Sequence, residues 1–250
     1  MQPLIIAHRG ASGEAPENTL SAFRVAIVQH ADGIELDVQM TKDGRIVVIH
    51  DETLDRTTDS SGLVAGMTYE QIRRADAGHG FKAYAGERVP LLSEVLELLA
   101  PTRMLLNIEL KNGIIPYPEM EEGVIRLVRQ YAMERRVILS SFNHYSLVKL
   151  AELAPDLERA VLYAAGLFEP WDYALRLGAN AIHPLHYSAV PEIVQGAHRA
   201  GLKIRPYTVD REEDIRRMIA NEVDAVITNY PLRMKRILED GDGKTGGQRK

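Results

Sequence analysis

His8 and Arg9 follow a short apolar run, Glu35 and Asp37 stand two apart in a second run, and Glu109 and Lys111 stand two apart in a third. Residues i and i+2 of a strand project from one face, so each pair would point its side chains together. The neighbours Ile34, Leu36, Val38, Ile108 and Leu110 are apolar and would face the other layer. Three carboxylates in one concave place repel one another, so they must be neutralised or one must stay protonated. A hard divalent cation, Mg²⁺ or Ca²⁺, meets that need with oxygen ligands and leaves positions for water or phosphate. Zinc fits less well, since it favours His or Cys ligands. Arg9 and Lys111 beside such a cation make a site for an oxyanion, above all a phosphoryl group. His8 and His50 would then supply a base and an acid, because imidazole titrates near working pH. One acid–base pair alone would be read as a structural salt bridge. Three acids with His8, Arg9, His50 and Lys111 at the strand ends of one sector form a cluster too costly to bury for packing alone. His30, His79, His144 and His198 are assigned to surface or packing roles, and His183 and His186 are left open.

The elements that must position these groups alternate along the chain. Apolar runs of strand length occupy 4–7, 33–38, 45–49, 104–110, 137–141, 160–163, 181–183, 203–207 and 225–228. Amphipathic segments of helical length lie between them, with Val124, Leu127, Val128 and Tyr131 recurring at three- and four-residue spacing. Gly178 and Gly201 fall where helix C-caps are expected, just before strands. Close to eight βα units in one chain most naturally close into a single (β/α)₈ TIM barrel, an α/β fold spanning residues 1–239. An open doubly wound sheet is disfavoured, because no G-x-G-x-x-G follows the first strand. Residues from about 51 to 91 break the rhythm and read as a small insertion after strand two, lying over one end of the barrel. The tail 240–250 has no apolar residue and is expected to be unstructured. Functional side chains of such barrels project from the C-terminal ends of the strands. The acids, histidines and cations fall there.

Composition narrows the partners. Thirty Lys+Arg against 35 Asp+Glu gives a net charge of −5, which provides no basic face for nucleic acid. The absence of cysteine excludes a disulfide framework, a thiolate zinc site and a cysteine nucleophile. No apolar run approaches the ~20 residues of a membrane helix. A soluble, cytoplasmic protein without membrane insertion is the expectation.

Taken in order, His8-Arg9-Gly10, Pro16-Glu17-Asn18-Thr19, Glu35-x-Asp37, Lys42-Asp43-Gly44, His50-Asp51 and Glu109-x-Lys111 resemble the glycerophosphodiester phosphodiesterase family. The resemblance continues through Thr208 to Asn229-Tyr230-Pro231 and covers nearly the whole chain. It implies a TIM barrel with a small inserted subdomain, hydrolysing small glycerophosphodiesters to sn-glycerol 3-phosphate and an alcohol. By the same resemblance, Glu35, Asp37 and Glu109 would bind one divalent ion per active site, and His8 and His50 would be the acid/base pair. Arg9 and Lys111 would hold phosphate, with Glu17-Asn18 shaping the mouth. It also implies a route in which the neighbouring glycerol hydroxyl attacks phosphorus and water then opens a cyclic phosphate. Tyr207, assigned to substrate binding, stands where the family often has Trp, and Asn229 stands where it usually has Asp. Both departures are expected to bear on substrate fit, away from the metal set. Two other readings are a lysophospholipase D-type lipid phosphodiesterase and a non-catalytic phosphodiester-binding barrel. Ile114–Tyr117 is the one apolar mouth segment legible for lipid contact.

Overall fold

Alternation along the strands decides the architecture. Ile34, Leu36 and Val38, with Leu106, Ile108 and Leu110, point outward into one core shared with the helices. Each such aliphatic side chain contributes about 1.5–3 kcal/mol when fully buried. The alternate positions point into the barrel, where two small apolar clusters, Ile6–Ala225–Ile227 and Ile138–Ala160–Ala181, accompany buried Glu35, Asp37, Asn107, Glu109, Ser140, His183 and Arg205.

The computed structural model describes residues 2–78 and 80–245. The first half runs β1 (Leu4–His8), α1 (Leu20–Val28), β2 (Gly33–Met40), β3 (Ile46–Val48), α2 (Tyr69–Ile72), α3 (Leu92–Leu99), β4 (Leu105–Leu110) and α4 (Met120–Gln130). The second half runs β5 (Val137–Ser141), α5 (His144–Leu153), β6 (Glu158–Tyr163), α6 (Pro170–Arg176), β7 (Ala181–Pro184), α7 (Pro191–Arg199), β8 (Lys203–Ile204), α8 (Glu212–Ala220), β9 (Ala225–Thr228) and α9 (Pro231–Thr245). Eight strands are parallel, in the order β8-β7-β6-β5-β4-β2-β1-β9. The two ends meet through Asp224 N–H to Ile204 O (3.0 Å) and Ile227 N–H to Pro206 O (3.0 Å), closing the barrel. The fold is the expected (β/α)₈ barrel.

Two details differ from expectation, at β8 and at α9, while the run 45–49 is the further extended piece beside strand two: β3 pairs antiparallel with β2 as a hairpin, with Val38 opposite Val48. The Lys42-Asp43-Gly44 motif makes its turn, with Gly44 N–H bonded to Thr41 O. Strand β8 stops at Ile204, well before Tyr207, because Pro206 has no N–H to continue a ladder. Helix α9 continues past residue 239, so residues 240–245 are helical backbone; each added helical residue gains a hydrogen bond once the helix is under way. Residues 246–250 of the tail lie outside the described residues.

Between His50 and α3 the insertion has its own small core, including Leu54, Val64, Ile72 and Val89, continuous with Val47 and Ile49 beside β3. A segment this short cannot bury enough surface to stand alone. The β2–β3 hairpin anchors it.

Candidate active site

Register assembles the acidic cluster. His8 lies beside Glu35 across β1–β2, while Asp37 lies beside Glu109 across β2–β4. The carboxylates of Glu35, Asp37 and Glu109 each offer an oxygen, all within 4.8 Å of one another and all buried. Burial, reinforced by Asp37 and Glu109, pushes Glu35 well above the ordinary carboxylate range. Burial and then Asp37 push Glu109 up to about 7 against the pull of Lys111.

The loop after β1 wraps this cluster with donors. Arg9 N–H donates to Glu35 Oε2 at 2.9 Å, Arg9 Nη1 to Glu17 Oε1 at 2.8 Å, and Arg9 Nε lies 3.2 Å from Asp37 Oδ2. Asn18, expected only to shape the mouth, donates from Nδ2 to Asp37 Oδ2 at 2.9 Å and accepts the Asp37 N–H. Arg9 and Asn18 both adopt left-handed backbone (φ 55° and 58°), a strain tolerated where surrounding bonds over-determine it. Gly10 is required by close approach: a Cβ there would sit 2.7 Å from the Ala22 backbone. Thr19 then caps α1 by accepting Ala22 N–H.

Each histidine is held at Nδ1. His8 Nδ1 lies 2.7 Å from Asn229 Oδ1, and its Nε2 lies 3.9 Å from Glu35 Oε2. Burial and the Arg9 charge lower His8 to about 4, against opposing pulls from Asn229 and Asp37. The Asn229 position therefore touches a histidine of the site, correcting the expectation that it bears on substrate fit alone. His50 Nδ1 lies 2.6 Å from Asp51 Oδ1, and its Nε2 lies 3.1 Å from Lys111 Nζ, which also donates to Glu109 at 2.9 Å. Arg56 of the insertion, which the sequence reading did not single out, bridges both oxygens of Asp51 and both of Glu17 at 2.7–3.0 Å. Its hydrogen bond holds Asp51 well below the usual carboxylate range. Burial would raise Glu17, but Arg56 and Arg9 hold it down at about 2.

Tyr207 stands one layer out. Its hydroxyl donates to Tyr163 O at 3.1 Å, and its ring meets Phe142 edge-on, 6.0 Å between centroids. Phe142 in turn lies 5.9 Å from Lys111 Nζ. From there an apolar groove of about 490 Å³ opens, lined by Leu162, Leu167, Phe168 and Tyr173. The mouth is thus more apolar than Ile114–Tyr117 implied, because its members come from separate loops that no single segment reveals. His183 is buried against Arg205 and His186 lies beside Arg217 and Asp214, so neither joins the acids. His144 bonds Tyr173 and Leu162 O, and His198 bonds Asp224. His79 lies outside the described residues.

The acids suit a cation. Asp37 Oδ1 is buried and makes no hydrogen bond, while Oδ2 accepts from Asn18 and lies 3.2 Å from Arg9 Nε. An all-oxygen donor set with such a bare buried oxygen matches a hard divalent ion.

Acids, two histidines and two cations at the C-terminal mouth of a parallel barrel define a TIM-barrel enzyme of phosphodiesterase type. The model of the Glycerophosphoryl diester phosphodiesterase family matches residues 8–233. A glycerophosphodiester phosphodiesterase of Caldanaerobacter subterraneus subsp. tengcongensis is 50% identical over 242 residues, covering 96% of this chain and 100% of the relative. The crystal structure of a glycerophosphoryl diester phosphodiesterase assigned in Silicibacter pomeroyi superposes with a TM-score of 0.90 at 32% identity, over 96% of this chain and 94% of that one. An Oleispira antarctica phosphodiesterase in complex with the product sn-glycerol-3-phosphate gives 0.88 at 30% identity, over 95% of this chain and 97% of that one. The chain belongs to the glycerophosphoryl diester phosphodiesterase family, and it is an enzyme of that reaction class.

Proposed function

We propose that the protein hydrolyses small, water-soluble glycerophosphodiesters to sn-glycerol 3-phosphate and an alcohol, using one divalent cation, Mg²⁺ or Ca²⁺, and the pair His8 and His50. The observation that carries this reading is the buried triad of Glu35, Asp37 and Glu109 with His8 and His50 on either side of it. The triad would hold the cation, which when bound supplies Lewis-acid polarisation of the phosphoryl group. Lys111 and Arg9 hold the remaining phosphoryl charge. Arg9 is fixed for this by Glu17 and Asp37, so little freedom is lost on binding. His8, kept neutral by burial, takes the proton of the attacking glycerol hydroxyl at Nε2. His50 delivers a proton from Nε2 to the leaving alkoxide while Asp51 steadies the ring at Nδ1. Water then opens the cyclic phosphate with the two roles exchanged. Tyr207 and Phe142 wall the mouth beside Lys111. A cytoplasmic place for this activity is part of the same proposal; among the described residues no helix is long and apolar enough to cross a membrane.

The test is release of sn-glycerol 3-phosphate from glycerophosphocholine, with EDTA and with Mg²⁺ or Ca²⁺ restored. Release that depends on the cation and disappears in His8→Ala supports the reading; release indifferent to EDTA overturns its metal part. The apolar groove favours a second reading, a lysophospholipase D-type activity on monoacyl substrates. Phe168 is 89% exposed there, a poor arrangement for a side chain with no partner. Co-sedimentation with phospholipid vesicles, lost in Phe168→Ser, separates the two.

A further inference from the structure

The Asn229 amide has one orientation open to it. Three donors converge on the Asp210 side chain: Thr228 Oγ1 at 3.0 Å and Asn229 N–H at 2.8 Å on Oδ1, and Asn229 Nδ2 at 2.6 Å on Oδ2. A carboxylate only accepts, so the nitrogen of the Asn229 side chain must face Asp210 and its oxygen must face away. That oxygen lies 2.7 Å from His8 Nδ1 and 2.7 Å from Ser12 Oγ. An amide oxygen carries no hydrogen, so the bond to His8 forms only if Nδ1 bears the proton. In the neutral ring Nε2 is then left with its lone pair, on the side of the ring that faces Glu35. Thr228 locks the turn that carries all this, accepting Tyr230 N–H at 3.1 Å.

We infer that Asp210 and Asn229 are positioning residues, acting in series through hydrogen bonds to hold His8 in its Nδ1-protonated tautomer with Nε2 aimed into the acidic site. This rests on the reading of His8 as a proton acceptor and adds how the acceptor is kept ready. Asp210, in the loop after β8, is one bond too distant to touch His8. It acts by denying the Asn229 amide its flipped orientation, in which Nδ2 would face Nδ1 and force the proton to Nε2. The third group behind a base performs the same service in Ser-His-Asp sites, where a wrong tautomer abolishes most of the rate.

Ring-nitrogen correlation NMR on the ¹⁵N-labelled full chain reads the tautomer directly, with His8→Gln assigning the signals. The expected result is a protonated Nδ1 and a bare Nε2 in the wild type, and a shift toward protonated Nε2 in Asn229→Leu. That variant should lose about 10²–10³ in kcat on glycerophosphocholine with KM within a few-fold. The reciprocal exchange Asp210→Asn with Asn229→Asp keeps every bond: Asn at 210 still accepts from Thr228 and the backbone, and donates to an Asp that accepts from His8. It should recover at least ten-fold of what Asp210→Asn alone loses, and it decides the matter if Asn229→Leu does not fold. A wild-type His8 protonated on Nε2, or a double exchange no better than its single parent, overturns the inference. An inactive His8→Gln beside a fully active Asn229→Leu overturns the relay while sparing the acid/base reading. An active His8→Gln overturns the acid/base reading instead.

Discussion

Lys111 Nζ lies 3.1 Å from His50 Nε2 and, by the same ammonium, 2.9 Å from Glu109. An ammonium has three donors and no acceptor, so His50 must present a lone pair at Nε2 while its Nδ1–H donates to Asp51. One cation therefore ties a histidine of the site to a carboxylate of the triad. An arriving phosphoryl anion competes for that cation and releases Nε2, which must take up a proton from water before it can deliver one to the leaving alkoxide. Lys111→Met should lower kcat/KM for glycerophosphocholine by about 10²–10³, the usual cost of one lost donor to a developing oxyanion. Steady-state kinetics against the head-group ester check this, and an unchanged kcat/KM would remove Lys111 from the phosphate site.

The metal-free protein should lose stability as pH rises. Glu35 and Glu109 both bind protons more tightly folded than unfolded, and Glu109 does so up to about 7. Against an unfolded value of about 4.3, their contribution is fully present below that pH and is lost as pH climbs through about 7. In EDTA, Tm followed by circular dichroism should fall between pH 5 and 8. A divalent cation should abolish the slope by replacing the protons, and Glu109→Gln should flatten it without metal. A Tm that rises with pH in EDTA would contradict the raised carboxyls.

Much of this was legible before the structure because it depends on period two. Glu35 with Asp37, and Glu109 with Lys111, had to share a face once their segments were strands, and parallel pairing then set the acids side by side. What stayed hidden was whatever depends on long loops closing. Arg56 and Glu17 are 39 residues apart, His8 and Asn229 are 221 apart, and no local pattern ties either pair. The run 45–49 was legible as an extended piece, but not its direction: a short apolar run looks the same whether its neighbour runs parallel or antiparallel.

Arg56 makes the insertion a participant in the site. Its guanidinium joins Asp51, which steadies His50, to Glu17, which steadies Arg9. Replacing it with Met leaves two carboxylates facing each other across the mouth. Because neither contacts the triad directly, Arg56→Met should lower kcat about ten-fold and leave cation affinity unchanged, as misplacement of a supporting group does. Isothermal titration with Ca²⁺ alongside turnover measures both. Equal losses in cation affinity and rate would show that Arg56 acts by holding the fold around the triad.

The two halves of the site should come apart under mutation. Glu109 lies within 4.8 Å of the other two acids and is bonded to Lys111, so Glu109→Ala removes an oxygen donor and strands an ammonium. Loss of a ligand should weaken the cation and slow turnover together. His50 touches Asp51 and Lys111, and among the described residues no hydrogen bond links it to an acid of the triad. His50→Ala should therefore leave cation binding intact while kcat falls by roughly 10²–10⁴, the range for a lost acid/base group. Calorimetric titration of each variant with Mg²⁺ or Ca²⁺, paired with release of sn-glycerol 3-phosphate, separates them. Cation binding lost in His50→Ala would place that imidazole among the ligands, and a Glu109→Ala enzyme that binds the ion at wild-type strength would take Glu109 out of them.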